Sequence, residues 1–222
     1  MTEAKRLLIT GASSGIGRHA ARLMEQEGHR LTLICRNHQR AAETLDWIDP
    51  TTRVLEADLA DLEQVDTLCA TLLQEQEPID ALVLNAGLQY AGHRQPRWSR
   101  QGIELTLAVN HLAHQLMLMR LLPLLLQADE PRVVITASEV HNPTSGGGRV
   151  GSPAGLGDLA GLRSGAGSAM VDGKERFDAD KAYKDSKLCN LLMGLELART
   201  NHSLPVIAWS PGLVIPCSQD GF

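Results

Sequence analysis

Tyr183 and Lys187 are the two residues whose types and spacing point most directly to chemistry. They lie four residues apart in Lys181-Ala-Tyr-Lys-Asp-Ser-Lys-Leu-Cys-Asn190, a stretch predicted to be helical, so both side chains would share one face. A phenol ordinarily has a pKa of about 10, and a neighbouring ammonium favours the phenolate and lowers that pKa. Such a pair can exchange a proton beside an atom that takes part in hydride transfer. The same pattern also occurs in ordinary amphipathic helices, so its meaning depends on the elements around it.

A glycine-rich loop follows the first predicted strand. Residues 6–10 form a short apolar run typical of a buried parallel strand, and residues 18–27 have a helical pattern. In between, the spacing T-G-x-x-x-G-x-G predicts a tight turn at the first glycine, close approach of a pyrophosphate at the second and close helix packing at the third. The N–H groups at the helix start would then face the phosphates. The predicted phosphate-binding residues are Gly11, Ser13, Ser14, Gly15, Ile16 and Gly17.

The second predicted strand, residues 30–35, leads directly into Arg36. An NAD enzyme places a carboxylate near this position to bind the ribose 2′-hydroxyl. A guanidinium suits a phosphate instead, so Arg36 favours NADPH, and Arg18 is a candidate second positive group. A solvated arginine at a strand end is the alternative interpretation.

Two later strand ends carry further candidates for cofactor binding. Asp58, followed by Leu59, could accept a hydrogen bond from an adenine amino group or could cap the next helix, and the sequence favours neither. Asn85, Ala86 and Gly87 fit a close approach of backbone to a cofactor ribose.

Polar residues on the following elements extend the candidate site. Residues 98–127 are predicted to form one long helix, in which the Asn110 side chain should bond backbone or water. His111 and His114 lack a third metal ligand, so we expect no metal site and favour helix packing or surface exposure. Ser138 follows the predicted strand 132–137 and could hold a substrate oxygen beside the tyrosine, or could simply form a turn.

The order of the predicted elements defines the expected fold. We predict one doubly wound parallel α/β sheet in a three-layer α/β/α arrangement, as a single domain over residues 1–222. The stretch before Tyr183 is rich in Gly, Ser, Pro and Asp, and we expect this insertion, at about 139–180, to lie over the mouth of the active site. The predicted strands are 6–10, 30–35, 52–56, 79–84, 132–137 and 205–209, and the predicted helices are 18–27, 39–47, 62–76, 98–127 and 182–200.

Composition narrows the classes of function. A net charge of -5 and a pI of about 5.9 argue against a nucleic-acid surface. The four cysteines form no C-x-x-C pair, so reduced thiols are favoured. The longest apolar run, residues 116–126, is broken by Arg120 and Pro123 and is too short to span a bilayer. Because the first predicted strand leaves no room for a signal peptide, we expect a cytoplasmic protein.

Six motifs, occurring together and in order, resemble the short-chain dehydrogenase/reductase superfamily over essentially the whole chain, which implies a Rossmann fold. By this resemblance Tyr183 donates the proton, and Lys187 activates Tyr183 and anchors the cofactor ribose. Ser138 orients the substrate, and Asn110 holds a proton-relay water. The motifs are the loop 10–17, Asn85-Ala-Gly87, Asn110, Ser138, Tyr183 with Lys187, and the cofactor-binding pair Pro211-Gly212.

Within that superfamily the chain looks most like the light-dependent NADPH:protochlorophyllide oxidoreductases. The similar segments are 181–190, Asn110-His-Leu-Ala-His114, and three parts of the insertion, which are 142–143, 157–161 and 170–177. The resemblance implies that NADPH delivers hydride to C17 of a photoexcited ring, that the tyrosine protonates C18, and that the small-molecule substrate is protochlorophyllide or another apolar ring compound. It is also compatible with a monomer or a homodimer and with peripheral contact to a photosynthetic membrane.

Two features depart from that family and keep other functions open. Leu213 stands where the family has a cysteine, and the chain ends at Phe222, before the lid helices and final strand that the resemblance implies, so we expect a truncated C-terminal part. One alternative is a light-independent reductase of a lipid-like or retinoid-like carbonyl, which Leu213 favours modestly. The other is a non-catalytic pigment- or cofactor-binding protein, which the presence of Ser138, Tyr183 and Lys187 disfavours.

Overall fold

A computed structural model describes residues 3–212, which fold around one six-stranded sheet. The strand order is β3-β2-β1-β4-β5-β6, and every neighbouring pair is parallel. The order reverses direction between β1 and β4, and at such a point the loops after the two strands diverge to leave a crevice for ligands. The strands are β1 (Arg6–Thr10), β2 (Arg30–Cys35), β3 (Arg53–Glu56), β4 (Ala81–Leu84), β5 (Arg132–Thr136) and β6 (Val206–Trp209).

Helices cover both faces of the sheet, because alternate residues of each strand point to opposite sides. On one face Leu7 and Leu33 pack with Ala21, and on the other Leu8 packs with Val65 and Leu121. This arrangement confirms the predicted doubly wound α/β fold. The helices are α1 (Gly15–Gln26), α2 (His38–Leu45), α3 (Leu62–Glu75), α4 (Leu105–Leu107), a π-helical segment (Ala108–Leu112), α5 (Ala113–Leu125), a 3-10 turn (Glu139–His141), α6 (Ala160–Arg163) and α7 (Ala179–Thr200).

The long helix predicted for residues 98–127 begins later than expected. Trp98 instead forms an antiparallel bridge with Glu104, and the helical run starts at α4. The carboxylate of Glu104 accepts hydrogen bonds from the Thr106 and Leu107 N–H groups, both at 2.9 Å, and therefore caps the helix. The Tyr90 hydroxyl donates to the same carboxylate. A buried cap fixed by a tyrosine from another loop thus decides where the helix starts.

The insertion ends earlier than predicted, because α7 begins at Ala179. The Asp178 side chain accepts a hydrogen bond from the Lys181 N–H at 3.0 Å and caps α7. The insertion therefore covers residues 139–178, and it packs on the protein through buried side chains such as Met170 and Phe177. The ring of Phe177 stacks on that of Tyr90, with centroids 5.7 Å apart.

Two further expectations concern the state of the cysteines and the ability of a helix to cross a membrane. Cys35, Cys69 and Cys189 are buried and free, as predicted, whereas Cys217 lies outside the described residues. None of the helices within residues 3–212 has the length and apolar character needed to cross a bilayer. The expected cytoplasmic compartment stays a prediction.

Candidate active site

The loop between β1 and α1 is compact because two of its glycines touch other backbone. Gly11 has a φ of +70°, and a Cβ there would lie 2.7 Å from the Ala86 Cα. A Cβ at Gly17 would lie 2.1 Å from the Gly11 carbonyl oxygen and 2.5 Å from Asn85 Nδ2. Only glycine fits at these two positions, so the loop after β1 and the loop after β4 pack directly against each other.

Thr10, at the end of β1, is the polar centre of this packing. Its hydroxyl oxygen accepts hydrogen bonds from the Asn85 and Ala86 N–H groups at 2.9 and 3.0 Å. The amide of Asn85 donates in return to the carbonyls of Thr10 and Gly11, and its oxygen accepts from the Thr136 hydroxyl. The predicted ribose-binding segment is thus held by the ends of both flanking strands.

His114 connects this centre to the helix that carries Asn110. Its Nδ1 lies 3.1 Å from the Asn110 carbonyl oxygen and its Nε2 lies 2.9 Å from Thr10 Oγ1. Since a carbonyl only accepts, these partners assign the proton to Nδ1, and Nε2 accepts from the threonine hydroxyl. Burial lowers the pKa of His114 to about 3, so the ring is neutral. Helix packing was therefore the correct prediction for His114, and surface exposure was wrong.

The neighbouring His111 is also buried, and its Nδ1 lies 3.1 Å from Asn190 Oδ1. Surface exposure was therefore wrong for this residue too. Within the described part of the chain, no group of three or more His, Cys, Asp or Glu side chains is arranged to hold a metal ion.

The candidates for the outer part of a cofactor site lie beyond β2 and β3. Arg36 is exposed just after β2, whereas the guanidinium of Arg18 stacks on the Trp47 ring, 4.4 Å from its centroid. Asp61, not Asp58, caps α3 by accepting from the Glu63 N–H at 3.1 Å, so the capping alternative for Asp58 was wrong.

The remaining residues predicted to bind the dinucleotide lie in the loops after β1 and β3. Ser14 precedes α1 in an extended conformation, and its hydroxyl makes no capping hydrogen bond. Asp58 Oδ1 accepts from the Ala60 N–H at 2.9 Å. The other predicted binding residues along these loops are the half-buried Ser13 and Ile16 and the buried Leu59.

Tyr183 and Ser138 approach each other from α7 and from the end of β5. Tyr183 is half-buried, and this burial raises the pKa of its phenol, while the hydrogen bond with the Ser138 side chain acts in the opposite direction. The net direction is opposite to the lowering that we expected from a neighbouring ammonium. Desolvation therefore dominates here, and the phenol is protonated at neutral pH.

Lys187 and Asn110 meet at Gly87. The Lys187 ammonium donates to the Thr136 carbonyl at 2.9 Å and lies 5.6 Å from the centroid of the Tyr183 ring. A Cβ at Gly87 would lie 3.5 Å from both Lys187 Nζ and Asn110 Oδ1. Burial lowers the pKa of Lys187 from 10.5 to about 8. Lys187 and Asn110 therefore border the segment predicted to bind the cofactor ribose.

Both N–H donors of the Asn110 side-chain amide are used in hydrogen bonds within the protein. It donates to the Leu88 carbonyl at 3.0 Å and to the Ser186 hydroxyl at 3.1 Å, and its oxygen accepts from the Leu88 N–H. This matches the expected bonding to backbone. Asn110 belongs to the π-helical segment, and such segments are frequent at functional sites.

Pro211 and Gly212, the last described residues, follow β6 near the start of the insertion. The Glu139 N–H donates to the Ser210 hydroxyl at 3.0 Å, which places the β6 end beside Ser138. Leu213 lies outside the described residues. Sequence reasoning missed the roles of Ser186, Thr136 and Glu104, whose partners are far away in the chain and leave no local signal.

A family model for short chain dehydrogenases matches residues 5–149. The chain belongs to the short-chain dehydrogenase family, and the fold and site therefore define an oxidoreductase of the class that uses a nicotinamide cofactor.

The curated relatives narrow the similarity. Protochlorophyllide reductase of Avena sativa is 38% identical over 221 residues, which cover 94% of this chain and 71% of the relative. Protochlorophyllide reductase A, chloroplastic, of Hordeum vulgare is also 38% identical, with 94% and 57% covered. Its namesake from Oryza sativa subsp. japonica is 39% identical, with 88% and 53% covered. The chain thus spans little more than half the length of the latter two relatives.

Solved structures show the same fold. A short-chain dehydrogenase from Streptomyces avermitilis superposes with a TM-score of 0.71 at 20% identity and covers 100% of this chain and 70% of its own. A short chain dehydrogenase from Escherichia coli CFT073 complexed with NADPH has a TM-score of 0.69 at 25% identity, with 94% and 76% covered. One from Shigella flexneri 2a str. 301 complexed with NADP has a TM-score of 0.68 at 25% identity, with 94% and 77% covered.

Proposed function

We propose that this chain catalyses the light-dependent reduction of protochlorophyllide to chlorophyllide with NADPH as the reductant. One observation carries the proposal. The Lys187 ammonium borders Gly87 and lies 5.6 Å from the centroid of the Tyr183 ring, and Ser138 lies beside the Tyr183 phenol, in a chain that is 38% identical to protochlorophyllide reductases. The arrangement of these three side chains alone supports a reductase of this family. The choice of protochlorophyllide as the substrate rests on the names of the curated relatives.

The residues present fit a phosphorylated dinucleotide. A Cβ at Gly15 would meet no atom within 4 Å, so the loop offers open backbone at the start of α1, where helix N–H groups favour phosphate. We assign the 2′-phosphate to Arg36 because its guanidinium is exposed just beyond β2, and we assign the adenine side to Asp58. NADPH, when bound, supplies the hydride. The oligomeric state stays a prediction.

Burial raises the pKa of the Tyr183 phenol, so the hydroxyl is protonated at neutral pH and holds the proton that we assign it to donate. The Ser138 side chain lies close enough to the phenol to act on its pKa, and we assign it to orient the substrate. Lys187, whose pKa is about 8, is an ammonium at neutral pH and borders the ribose-binding segment at Gly87. The second lone pair of Asn110 Oδ1 is where we place a relay water, since the amide donors are already used.

The decisive experiment mixes the protein with NADPH and protochlorophyllide in darkness and records absorption before and after a brief flash. A red-shifted chlorophyllide band that appears only after the flash is the expected result. A binding shift in darkness without product would contradict the catalytic proposal and indicate a pigment-binding protein.

Tyr183→Phe tests the proton donor in the same assay. The variant keeps the ring and should bind NADPH and pigment normally, but product formation per flash should fall by about a hundredfold or more, as is typical for loss of a general acid. Ser138→Ala, which keeps the phenol, should cost less. Undiminished turnover by Tyr183→Phe would remove Tyr183 from the role of proton donor.

A second candidate is a light-independent reductase of a lipid-like or retinoid-like carbonyl. Leu213, which stands where the resemblance to that family implies a cysteine, favours it. Oxidation of NADPH in darkness by a panel of apolar aldehydes and ketones, with no response to pigment and light, would decide for this function.

A further inference from the structure

Helix α7 is buried on more than its catalytic face. Tyr183 and Lys187 share one face, while Ser186 and Asn190 contact Asn110 and His111 on another. A third face carries Lys181, Lys184 and Asp185, of which the lysines are 4% exposed and the aspartate 0%. Long charged side chains are almost never buried in this way unless they have partners. Apart from the ion pair between Lys181 and Asp185, the partners of these side chains within residues 3–212 belong to the insertion.

Lys184, the residue directly after Tyr183, binds three carbonyl oxygens of the insertion. Its ammonium donates to Gly148 at 3.2 Å, to Ser152 at 3.0 Å and to Val150. An ammonium has three donors, so the three carbonyls satisfy it completely. They also bend the segment 148–152 around one point on α7.

Lys181 and Asp185, one helical turn apart, hold the next part of the insertion. Gly155 donates its N–H to Asp185 Oδ1 at 2.8 Å, and its carbonyl accepts from the Lys181 ammonium at 2.7 Å. Lys181 also lies 3.2 Å from Asp172 Oδ2. Here the buried charges compensate each other, whereas the partners found for Lys184 in the described part of the chain are neutral carbonyls.

A buried ammonium of this kind adds little stability compared with an apolar side chain of similar size. Its role is to hold the backbone in place, because charge-assisted hydrogen bonds are shorter and stronger than neutral ones and here three of them converge on one ammonium. We propose that Lys184 is a positioning residue of the reductase, which holds residues 148–152 against the helix that carries Tyr183 so that the insertion forms a fixed wall of the substrate-binding site. This inference rests on the proposed function.

The test compares Lys184→Met with the wild type. Methionine has similar length and no donors, so the segment 148–152 should detach while Tyr183, Lys187 and the β1–α1 loop remain in place. We expect the Kd and KM for protochlorophyllide to rise by about tenfold or more, with kcat at saturating pigment and the Kd for NADPH changed by less than about threefold. A lower kcat with an unchanged KM would overturn the proposal, because it would place the effect on the chemistry.

The matched control is Lys174→Met, in the same insertion. Lys174 is 67% exposed and contacts only Asp172 among the carboxylates of the described residues, so this variant should behave as the wild type. Should Lys184→Met not fold, Lys184→Gln replaces it, since a neutral amide keeps two donors for the three carbonyls. We expect the same split between KM and kcat, at smaller size, and unchanged pigment binding would refute the proposal.

Limited proteolysis separates this inference from the proposed function. Arg149 is exposed inside the segment that Lys184 holds, whereas Arg163 is anchored by its own contact with the Asp158 carbonyl at 2.9 Å. Trypsin should cleave after Arg149 at least about tenfold faster in Lys184→Met, with cleavage after Arg163 unchanged. If the wild type binds no pigment, the proposed function fails. The ratio of the two cleavage rates still tests whether Lys184 holds residues 148–152 against α7. Equal cleavage after Arg149 in both proteins would overturn it.

Discussion

Replacing Lys187 with methionine should change how stability depends on pH. Lys187 is 3% exposed, and burial lowers its pKa from 10.5 to about 8. Between these pH values the unfolded chain holds a proton that the folded chain has released, so wild-type stability rises with pH across the window. The full penalty is present below pH 8 and is roughly 3 kcal/mol, at about 1.36 kcal/mol per unit of pKa. It disappears above the unfolded pKa.

The measurement is urea-induced unfolding of the ligand-free wild type and Lys187→Met, followed by circular dichroism at pH 7 and at pH 10. The variant leaves the Thr136 carbonyl without its donor, which costs about 1–3 kcal/mol at either pH, so the difference at a single pH is not decisive. The advantage of the variant over the wild type should shrink by roughly 2–3 kcal/mol between the two pH values. Lys174→Met, at an exposed lysine, supplies the control. A stability difference that stays constant with pH would refute the lowered pKa of Lys187.

Two further predictions concern the cofactor loops. Arg36→Asp should weaken NADPH binding by about tenfold or more relative to NADH, because a carboxylate repels a phosphate but accepts from a 2′-hydroxyl, and fluorescence titration showing equal losses would remove the assignment. Gly17→Ala should abolish cofactor binding and cost about 1–3 kcal/mol of stability, because its Cβ would lie 2.1 Å from the Gly11 carbonyl oxygen. Calorimetric titration and thermal melting test this, against Gly146→Ala, where a Cβ would meet no atom within 4 Å.

The parts of this fold that local sequence determines were predicted closely. β1 and β2 match their predicted bounds residue for residue, because buried parallel strands are continuous apolar runs that end at glycine or charge. The loop 11–17 was also predictable, since the spacing of its glycines reflects contacts within one strand–loop–helix unit. Parallel strands then bring Asn85 and Ser138 to the same edge of the sheet without any further information.

What the sequence could not show depends on partners far away in the chain. The start of α4 is set by Glu104, whose carboxylate is held by Tyr90, and the conformation around Asn110 is tied to Leu88 and Ser186. The two interpretations of Asp58 could not be separated either, because Asp61, three residues later, is an equally good cap and is the residue that caps α3. Propensity alone does not choose between two such caps.

Helix α7 shows why the positioning residues escaped notice. A pattern of apolar and charged residues predicts which face of a helix is buried only if charged residues face water. In α7 that assumption fails, because the insertion supplies carbonyls and a carboxylate to Lys181 and Lys184 and buries them beside Tyr183. The insertion and the charged residues around the tyrosine therefore depend on each other. A chain with a much shorter connection between β5 and α7 would have no carbonyls to satisfy these lysines, and it should carry uncharged or solvent-exposed residues at both positions.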